Sequence, residues 1–131
     1  MRTPITGDIL AVRAIGGLHV VTLAWDFAAG HEAKREGLLG FAIERSELKA
    51  GQVIERYYLR GIKRFKSVDE GVPPGTPVLT SEHPVQSFQW GDYTAKPNTT
   101  YRYKVVPVYG APKLLGLDDA SSTTVEVRTE G

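Results

Sequence analysis

The chain contains three histidines, and the residues beside each one decide what chemistry it could support. One motif by which histidines cleave phosphodiesters is His-x-Lys-x(4)-Asp, which usually occurs twice, so that one imidazole attacks phosphorus and another protonates the leaving group. His31 comes nearest to this spacing, but Lys34 follows it by three positions instead of two, and no aspartate stands at the required distance. His19 and His83 lack the lysine as well. The sequence therefore predicts that this chain is not itself an enzyme.

The sequence contains no motif for other kinds of catalytic or metal-binding site either. The chain has no cysteine, which excludes disulfides, thiolate nucleophiles and sulfur-ligated metals. It has neither the Gly-x-Ser-x-Gly turn of serine hydrolases nor a Gly-x(4)-Gly-Lys-Ser/Thr phosphate loop. The acidic pairs Asp69-Glu70 and Asp118-Asp119 supply too few oxygens for calcium, which takes about six ligands, so we interpret them as solvated loop. We predict no catalytic, cofactor-binding or metal-binding residue.

The stretch RYYLRGIKRFK, at residues 56–66, is the strongest candidate for binding. It holds five basic residues and no acid, with aromatic side chains between them. Such a segment fits a charged edge strand that resists aggregation, a docking surface for another domain or protein, or a site for nucleic acid or lipid. The predicted binding patch consists of Arg56, Tyr58, Arg60, Lys63, Arg64 and Lys66.

Strand geometry makes this prediction more specific. Side chains alternate between the two faces of a strand. Arg56, Tyr58 and Arg60 should therefore point to solvent together, while Tyr57 and Leu59 should turn toward the protein interior.

Composition and charge narrow the class of protein. A chain of 131 residues with 41% hydrophobic residues fits one domain, residues 1–131, with one core. The formal net charge is +1, which disfavours nucleic acid or an anionic membrane as the main partner. The sequence shows no secretory signal and no run of about 18 apolar residues, so it predicts no transmembrane segment and a cytoplasmic location.

Strand signals dominate the rest of the chain. Alternating apolar and polar residues, separated by glycine and proline, predict about seven strands. Residues 28–37 allow one or two helical turns at most, and the proline-rich residues 61–84 predict a long loop. Sequential strands of this kind indicate an all-β sandwich. The predicted strands cover residues 8–15, 18–27, 38–47, 51–61, 85–90, 99–109 and 122–129.

The stretch AKPNTTYRYKVVPVYG, at residues 95–110, makes the fold more specific. Pro97 is followed by Thr99, Tyr101, Tyr103 and Val105 at every second position. This spacing resembles the tyrosine corner of fibronectin type III domains, in which a buried tyrosine hydroxyl bonds to backbone a few residues upstream. VTLAW, GFAIER and TTVEVRT resemble the second, third and last strands of that family. The resemblance implies an immunoglobulin-like sandwich of about seven antiparallel strands with long loops.

A second resemblance covers nearly the whole chain. The stretches LLGFAIER, YYLRGIKRF, EHPVQSFQWGDYTAKP and YRYKVVPVYGAPKLL are similar to the N-terminal module of bacterial phospholipase D-like proteins, the group related to phosphatidylserine and cardiolipin synthases. The resemblance implies a non-catalytic accessory module, the N-terminal part of a longer protein, which docks a downstream catalytic domain or presents its substrate. The alternative is a free-standing binding protein that uses the basic aromatic segment for a protein, nucleic acid or anionic lipid.

The large apolar side chains have a simpler interpretation. Alternation places them in the sandwich interior. Trp90 and Tyr93 also allow a carbohydrate-binding interpretation, because exposed aromatic rings stack on sugars. The predicted core contains Trp25, Phe41, Ile43, Trp90, Tyr101, Tyr103, Val105 and Val127.

Overall fold

The computed structural model describes residues 7–62, 77–79, 85–111 and 114–131, and this part of the chain consists of strands, loops and two short 3-10 turns. The 3-10 turns are Glu32–Arg35 and Asp119–Ser121. The strands are β1 (Leu10–Gly16), β2 (Val21–Phe27), β3 (Gly40–Lys49), β4 (Gln52–Tyr58), β5 (Arg60–Ile62), β6 (Pro77–Leu79), β7 (Gln89–Asp92), β8 (Thr100–Ala111), β9 (Leu114–Leu117) and β10 (Thr123–Arg128).

Two antiparallel sheets pack face to face. The small sheet has the order β1-β2-β7, and the large sheet has the order β10-β8-β3-β4, with β9 paired to β8. β5 and β6 form a separate antiparallel pair. Residues of both sheets form one main hydrophobic core. The predicted all-β sandwich is therefore confirmed.

The core forms because apolar residues alternate along the strands that face each other. In β2, Val21, Leu23 and Trp25 are buried, whereas Thr22 and Asp26 are exposed. Phe41 of β3 lies at the centre of the core, where its ring meets the edge of Trp25 at a centroid distance of 5.3 Å. Phe88 contacts Phe41 in the same manner at 5.2 Å. Aromatic contacts of this geometry thus join the two sheets.

The main differences from the sequence-based prediction lie in three places. The strand predicted for residues 51–61 is divided into β4 and β5, and strands β6 and β9 were not predicted. The strand predicted for residues 85–90 begins only at Gln89, and Val85 instead makes one isolated bridge to Phe41. Trp90 is half-buried against the core and is not one of its buried members.

The tyrosine corner has the predicted geometry. Tyr101 is 0% exposed, and the backbone N–H of Lys96 donates to its hydroxyl oxygen at 2.8 Å. Asn98 adopts the left-handed conformation, with φ of 52°, at the turn into β8. The turn thereby directs Tyr101 into the core while its polar atom stays satisfied.

One end strand of the large sheet is closed off. β10 lies against β1 of the small sheet, where Thr123 donates a hydrogen bond to the carbonyl oxygen of Leu10 and the N–H of Glu130 donates to Gly17 at 2.8 Å. The strands approach so closely at Gly16 that a Cβ there would lie 2.5 Å from the carbonyl oxygen of Arg128. This contact joins the two sheets along one side of the sandwich.

The other end strand, β4, has a free edge as far as the described residues show. Among the described residues it pairs only with β3, through a two-residue turn in which Ala50 and Gly51 have φ of 53° and 78°. Positive φ at both positions is typical of the type I′ turn, which matches the twist of paired strands. Gln52 to Tyr57 are exposed along both faces of the strand, and Tyr58 is half-buried. In the part of the chain that the structure describes, one edge of the large sheet is thus closed and the other has no second strand.

Candidate functional site

The structure describes the side chains of two members of the predicted binding patch, Arg56 and Tyr58. Arg56 is exposed on the outer face of β4, and Tyr58 lies on the same face, half-buried against a small outer cluster that includes Ala42 and Val106. Arg60 begins β5. Lys63, Arg64 and Lys66 lie outside the described residues.

The pairing of strands brings Arg56 together with residues that the sequence analysis did not select. Ser46 of β3 pairs with Arg56 on one side and with Arg102 of β8 on the other. In the next row of the same face, Glu44 pairs with Tyr58 and with Lys104. Residues paired across a sheet share a face. The basic surface therefore runs across the strands, and we call it the outer-face groove.

The outer-face groove is a shallow concavity of about 260 Å³. Three cations and one acid line it, together with two hydroxyl groups. The floor is formed by Ser46, which is buried between the two arginines. The groove is lined by Glu44, Ser46, Val53, Arg56, Arg102, Lys104 and Thr124.

The three cations of the groove differ in how firmly they are paired. Arg102 meets Glu126 at 3.0 Å, and Lys104 meets Asp119 at 2.7 Å. The hydrogen bond to Asp119 raises the pKa of Lys104, which keeps this amine charged.

Arg56 is held more loosely than these two cations. Its Nε lies 3.9 Å from the carboxylate of Glu44 and 3.4 Å from the hydroxyl oxygen of Ser46, and the side chain is 60% exposed. Arg56 therefore has the greatest capacity to bind an external anion.

A second group of polar residues lies on the inner face of the large sheet. The guanidinium of Arg45 is stacked between the rings of Tyr57 and Tyr101, at 5.0 and 4.8 Å from their centroids. The aromatic faces stabilise the charge where water is excluded. Tyr57 thus turns inward as predicted, but it remains partly exposed at the open edge and covers the arginine.

Arg45 also connects the two sheets through Asp92 of β7. Its Nη1 donates to Asp92 Oδ2 at 2.8 Å and to the hydroxyl of Thr94 at 2.8 Å, while Tyr103 donates to Asp92 Oδ2 at 2.6 Å. Asp92 Oδ1 accepts from the N–H and the hydroxyl of Thr94. We call Arg45, Asp92, Thr94 and Tyr103 the buried ion-pair network.

The pKa shifts of the buried ion-pair network follow from these contacts. Burial alone would raise the pKa of Asp92, but the hydrogen bonds from Thr94 and Tyr103 and the charge of Arg45 lower it overall. Burial, with the neighbouring Asp92 carboxylate, raises the pKa of Tyr103. Burial opposes the charge on Arg45, yet Asp92 raises the pKa of this group overall. The network is therefore an ion pair at neutral pH.

The contacts of the buried ion-pair network are suited to stabilising the fold. Both oxygens of Asp92 are occupied by donors of the protein, and the carboxylate side chain is 3% exposed. A carboxylate in this state has no free oxygen with which to meet a substrate. One feature of the sequence points to the buried ion-pair network. Arg45 follows Phe41 and Ile43 at every second position, so it lies on their inward face, and Asp92 follows Trp90 in the same way.

The two histidines in the described part of the chain, His19 and His31, lie apart from each other. His19 is in the turn before β2, and His31 follows β2, so the two stand at opposite ends of a strand of roughly 20 Å. Asp118 pairs with Lys34 at 3.6 Å. In the described part of the chain, no group of three metal-binding side chains comes together. His83, Asp69 and Glu70 lie outside the described residues.

Trp90 and Tyr93 do not form a shared aromatic surface. Trp90 pairs with Leu23 and packs against the core. Tyr93 is 80% exposed, and its ring lies over Gly91, where a Cβ would be 2.7 Å from the ring. Of these two rings, only that of Tyr93 is exposed enough to stack on a sugar.

None of the described residues belongs to a helix long and apolar enough to cross a membrane. Comparisons of the chain with protein-family models, with curated proteins and with solved structures find no match.

Proposed function

We propose that the chain is a non-catalytic interaction module that docks another protein region through β4 and the outer-face groove. The observation that carries this proposal is the difference between the two edges of the large sheet. β10 is closed by β1, whereas β4 is exposed on both faces and has one strand neighbour among the described residues. Exposed edge strands are templates for pairing with other chains, and proteins usually protect them.

Membership of the fibronectin type III-like group is part of the proposal. Two features support it. Tyr101 has the hydrogen bond of a tyrosine corner. The other feature is the arrangement of seven of the strands. Apart from β5, β6 and β9, strands β1, β2 and β7 form one sheet and β3, β4, β8 and β10 form the other, as in an immunoglobulin-like sandwich.

We further propose that the module is accessory to a phospholipase D-like catalytic region. Its support is the similarity of the sequence stretches, which include β3, β7 and β8. On this proposal the β4 surface faces the catalytic region or a protein that brings the substrate. A free-standing binding protein would use the same surface for a separate partner.

An activity assay tests the non-catalytic part of the proposal. We expect the purified chain to release product from bis(p-nitrophenyl) phosphate and from phosphatidylglycerol vesicles only at the rate of a protein-free blank. The reason is that the sequence contains no His-x-Lys-x(4)-Asp motif to supply a nucleophile and an acid, and the described His19 and His31 are at opposite ends of β2. Turnover that disappears in the His31→Ala or His83→Ala variant would refute the proposal.

The mass of the native protein distinguishes an accessory module from a free-standing one. An accessory module should be found in a polypeptide well above the 14.4 kDa of this chain, with His-x-Lys-x(4)-Asp motifs in the added part. A native protein of 14.4 kDa would favour the free-standing binding protein.

A further inference from the structure

We infer that the partner of β4 is an extended peptide strand that pairs antiparallel with it and places an acidic side chain beside Arg56. This inference rests on the proposed function and specifies the chemistry of the partner. Three features of the described residues lead to it: the accessible backbone of β4, the loosely paired Arg56 on one face, and Tyr57 on the other.

The backbone of β4 can accept a strand. β4 is seven residues long, and β3 is its one partner in the described part of the chain. Peptides bind such edges by adding a strand, in which main-chain hydrogen bonds give affinity and alternate side chains give specificity. Exposure along both faces of β4 leaves room for side chains of the added strand on either side.

The outer face selects an acidic side chain. A residue directly opposite Arg56 on the added strand would lie about 5 Å from it, within reach of the guanidinium. Arg102 and Lys104 are held by Glu126 and Asp119 at 3.0 and 2.7 Å, whereas Arg56 lies 3.9 Å from Glu44. A guanidinium has five N–H donors and binds a carboxylate through two of them. Among the described contacts of the groove, Arg56 is therefore the most loosely paired cation, and we assign the acidic side chain of the partner to it.

The inner face selects the neighbouring residue. In antiparallel pairing, the residue opposite Tyr57 stands immediately before the residue opposite Arg56. Tyr57 presents a partly exposed ring whose other surface covers Arg45. A β-branched residue packs well beside an aromatic one across strands. The residue opposite Glu55 would follow the acid, and a lysine there would complete the charge pattern. The favoured sequence is therefore β-branched, acidic, basic.

The same charges disfavour a nucleic acid as the partner. A phosphodiester chain carries a negative charge at every nucleotide, and on the outer face it would meet Glu44 beside Arg56 and then Asp119 and Glu126. A peptide strand of mixed charge can match both signs. The formal net charge of +1 adds no general attraction for a polyanion.

The experiment uses the blocked peptide Thr-Thr-Val-Glu-Lys-Thr-Thr, titrated into the isotope-labelled chain while amide chemical shifts are followed. Two control peptides carry glutamine in place of glutamate or an N-methyl group on the glutamate nitrogen. The N–H of Leu59 bonds to Ile43 of β3, so the backbone of Arg56, three residues earlier, faces the open side and would bond to the residue opposite it. Two protein variants accompany them: Arg56→Gln as the test, and Arg13→Gln as the matched control. Arg13 is exposed on β1 in the other sheet, so the control makes the same change of charge away from β4.

We expect shifts confined to β4 and its neighbour β3. Arg56→Gln and the glutamine peptide should each weaken binding about tenfold, without adding to each other, because they remove the same pair. N-methylation should also weaken binding, and Arg13→Gln should leave it unchanged. Equal binding by the parent and N-methylated peptides, or no effect of Arg56→Gln, would overturn the inference.

Two further titrations separate the inference from the proposed function. Binding of a single-stranded oligonucleotide or of phosphatidylglycerol vesicles that is lost in Arg56→Gln, with no peptide binding, would overturn the peptide inference but keep β4 as a docking surface. Hydrolysis of phosphodiesters by the chain would refute the non-catalytic module itself. Thermal unfolding of Arg56→Gln checks that the variant is folded, as expected for an exposed side chain.

Discussion

Replacement of Asp92 by alanine is expected to lower the free energy of unfolding by about 3–5 kcal/mol. The substitution leaves the charge of Arg45 buried without its carboxylate and removes the acceptor of the Tyr103 hydroxyl. Removal of one partner from a buried pair is costly because the other partner stays desolvated. Urea unfolding of the wild type and the variant at pH 7 measures the difference.

The control for this prediction is an exposed ion pair. Glu126→Ala removes the partner of Arg102 on the outer face, and we expect a loss of about 1 kcal/mol or less, because solvent screens exposed pairs. The double variant Arg45→Met/Asp92→Leu should recover part of the loss, since apolar groups of similar volume can replace a buried pair. Equal losses for Asp92→Ala and Glu126→Ala would show that the buried ion-pair network does not join the sheets.

The pH dependence of stability gives the same prediction a second readout. The pKa of Asp92 is lower in the folded than in the unfolded chain, so the contribution of this carboxylate is complete above its unfolded pKa of about 3.9. It is lost as the pH falls through the lower, folded pKa. The stability difference between the wild type and Asp92→Ala should therefore be constant from pH 5 to 7 and shrink below about pH 4. A difference that persists unchanged in acid would contradict the assignment.

Replacement of Phe41 by alanine should be comparably destabilising, by about 3–5 kcal/mol. Phe41 is 1% exposed, and its ring contacts Trp25 and Phe88 edge-on. Removal of the ring opens a cavity between the sheets and separates these two aromatic side chains. Urea unfolding measures the loss, and near-ultraviolet circular dichroism should show the changed environment of Trp25.

The matched control is an apolar residue that lies outside the core. Leu18 is 49% exposed in the turn between β1 and β2, and Leu18→Ala should change stability by about 0.5 kcal/mol or less. If Phe41→Ala were no more costly than Leu18→Ala, Phe41 would not occupy the centre of the core.

Local patterns predicted most of the fold. Alternation identified β2 and β8, and the spacing from Pro97 to Tyr101 predicted a buried hydroxyl bonded to nearby backbone. These features depend on residues within a few positions of one another. The β8–β9 hairpin was missed because Leu114–Leu117 is a short apolar run without alternation, which is compatible with several structures.

The candidate site was predictable only in part, because it depends on contacts between distant strands. Arg56 was selected from its own segment, but its neighbours on the outer face were not. Arg102 comes beside it through the register of β4, β3 and β8, and a shift of that register by one residue would place it on the other face. Asp92 likewise lies 47 positions from Arg45 and joins it only after the sheets have packed.

The docking role proposed for β4 requires that its outer edge be free to pair. Residue-resolved amide hydrogen exchange of the monomeric chain tests this most directly. Amides in paired strands exchange slowly, because the strand must open first, whereas amides that face solvent exchange near the intrinsic rate. We expect slow exchange from Thr100 to Val105, where β8 is paired with β3 on one side and β10 on the other, and fast exchange at those amides of β4 that point away from β3. Slow exchange at every amide of β4 would show that this edge is already covered, and would contradict its role as a docking strand.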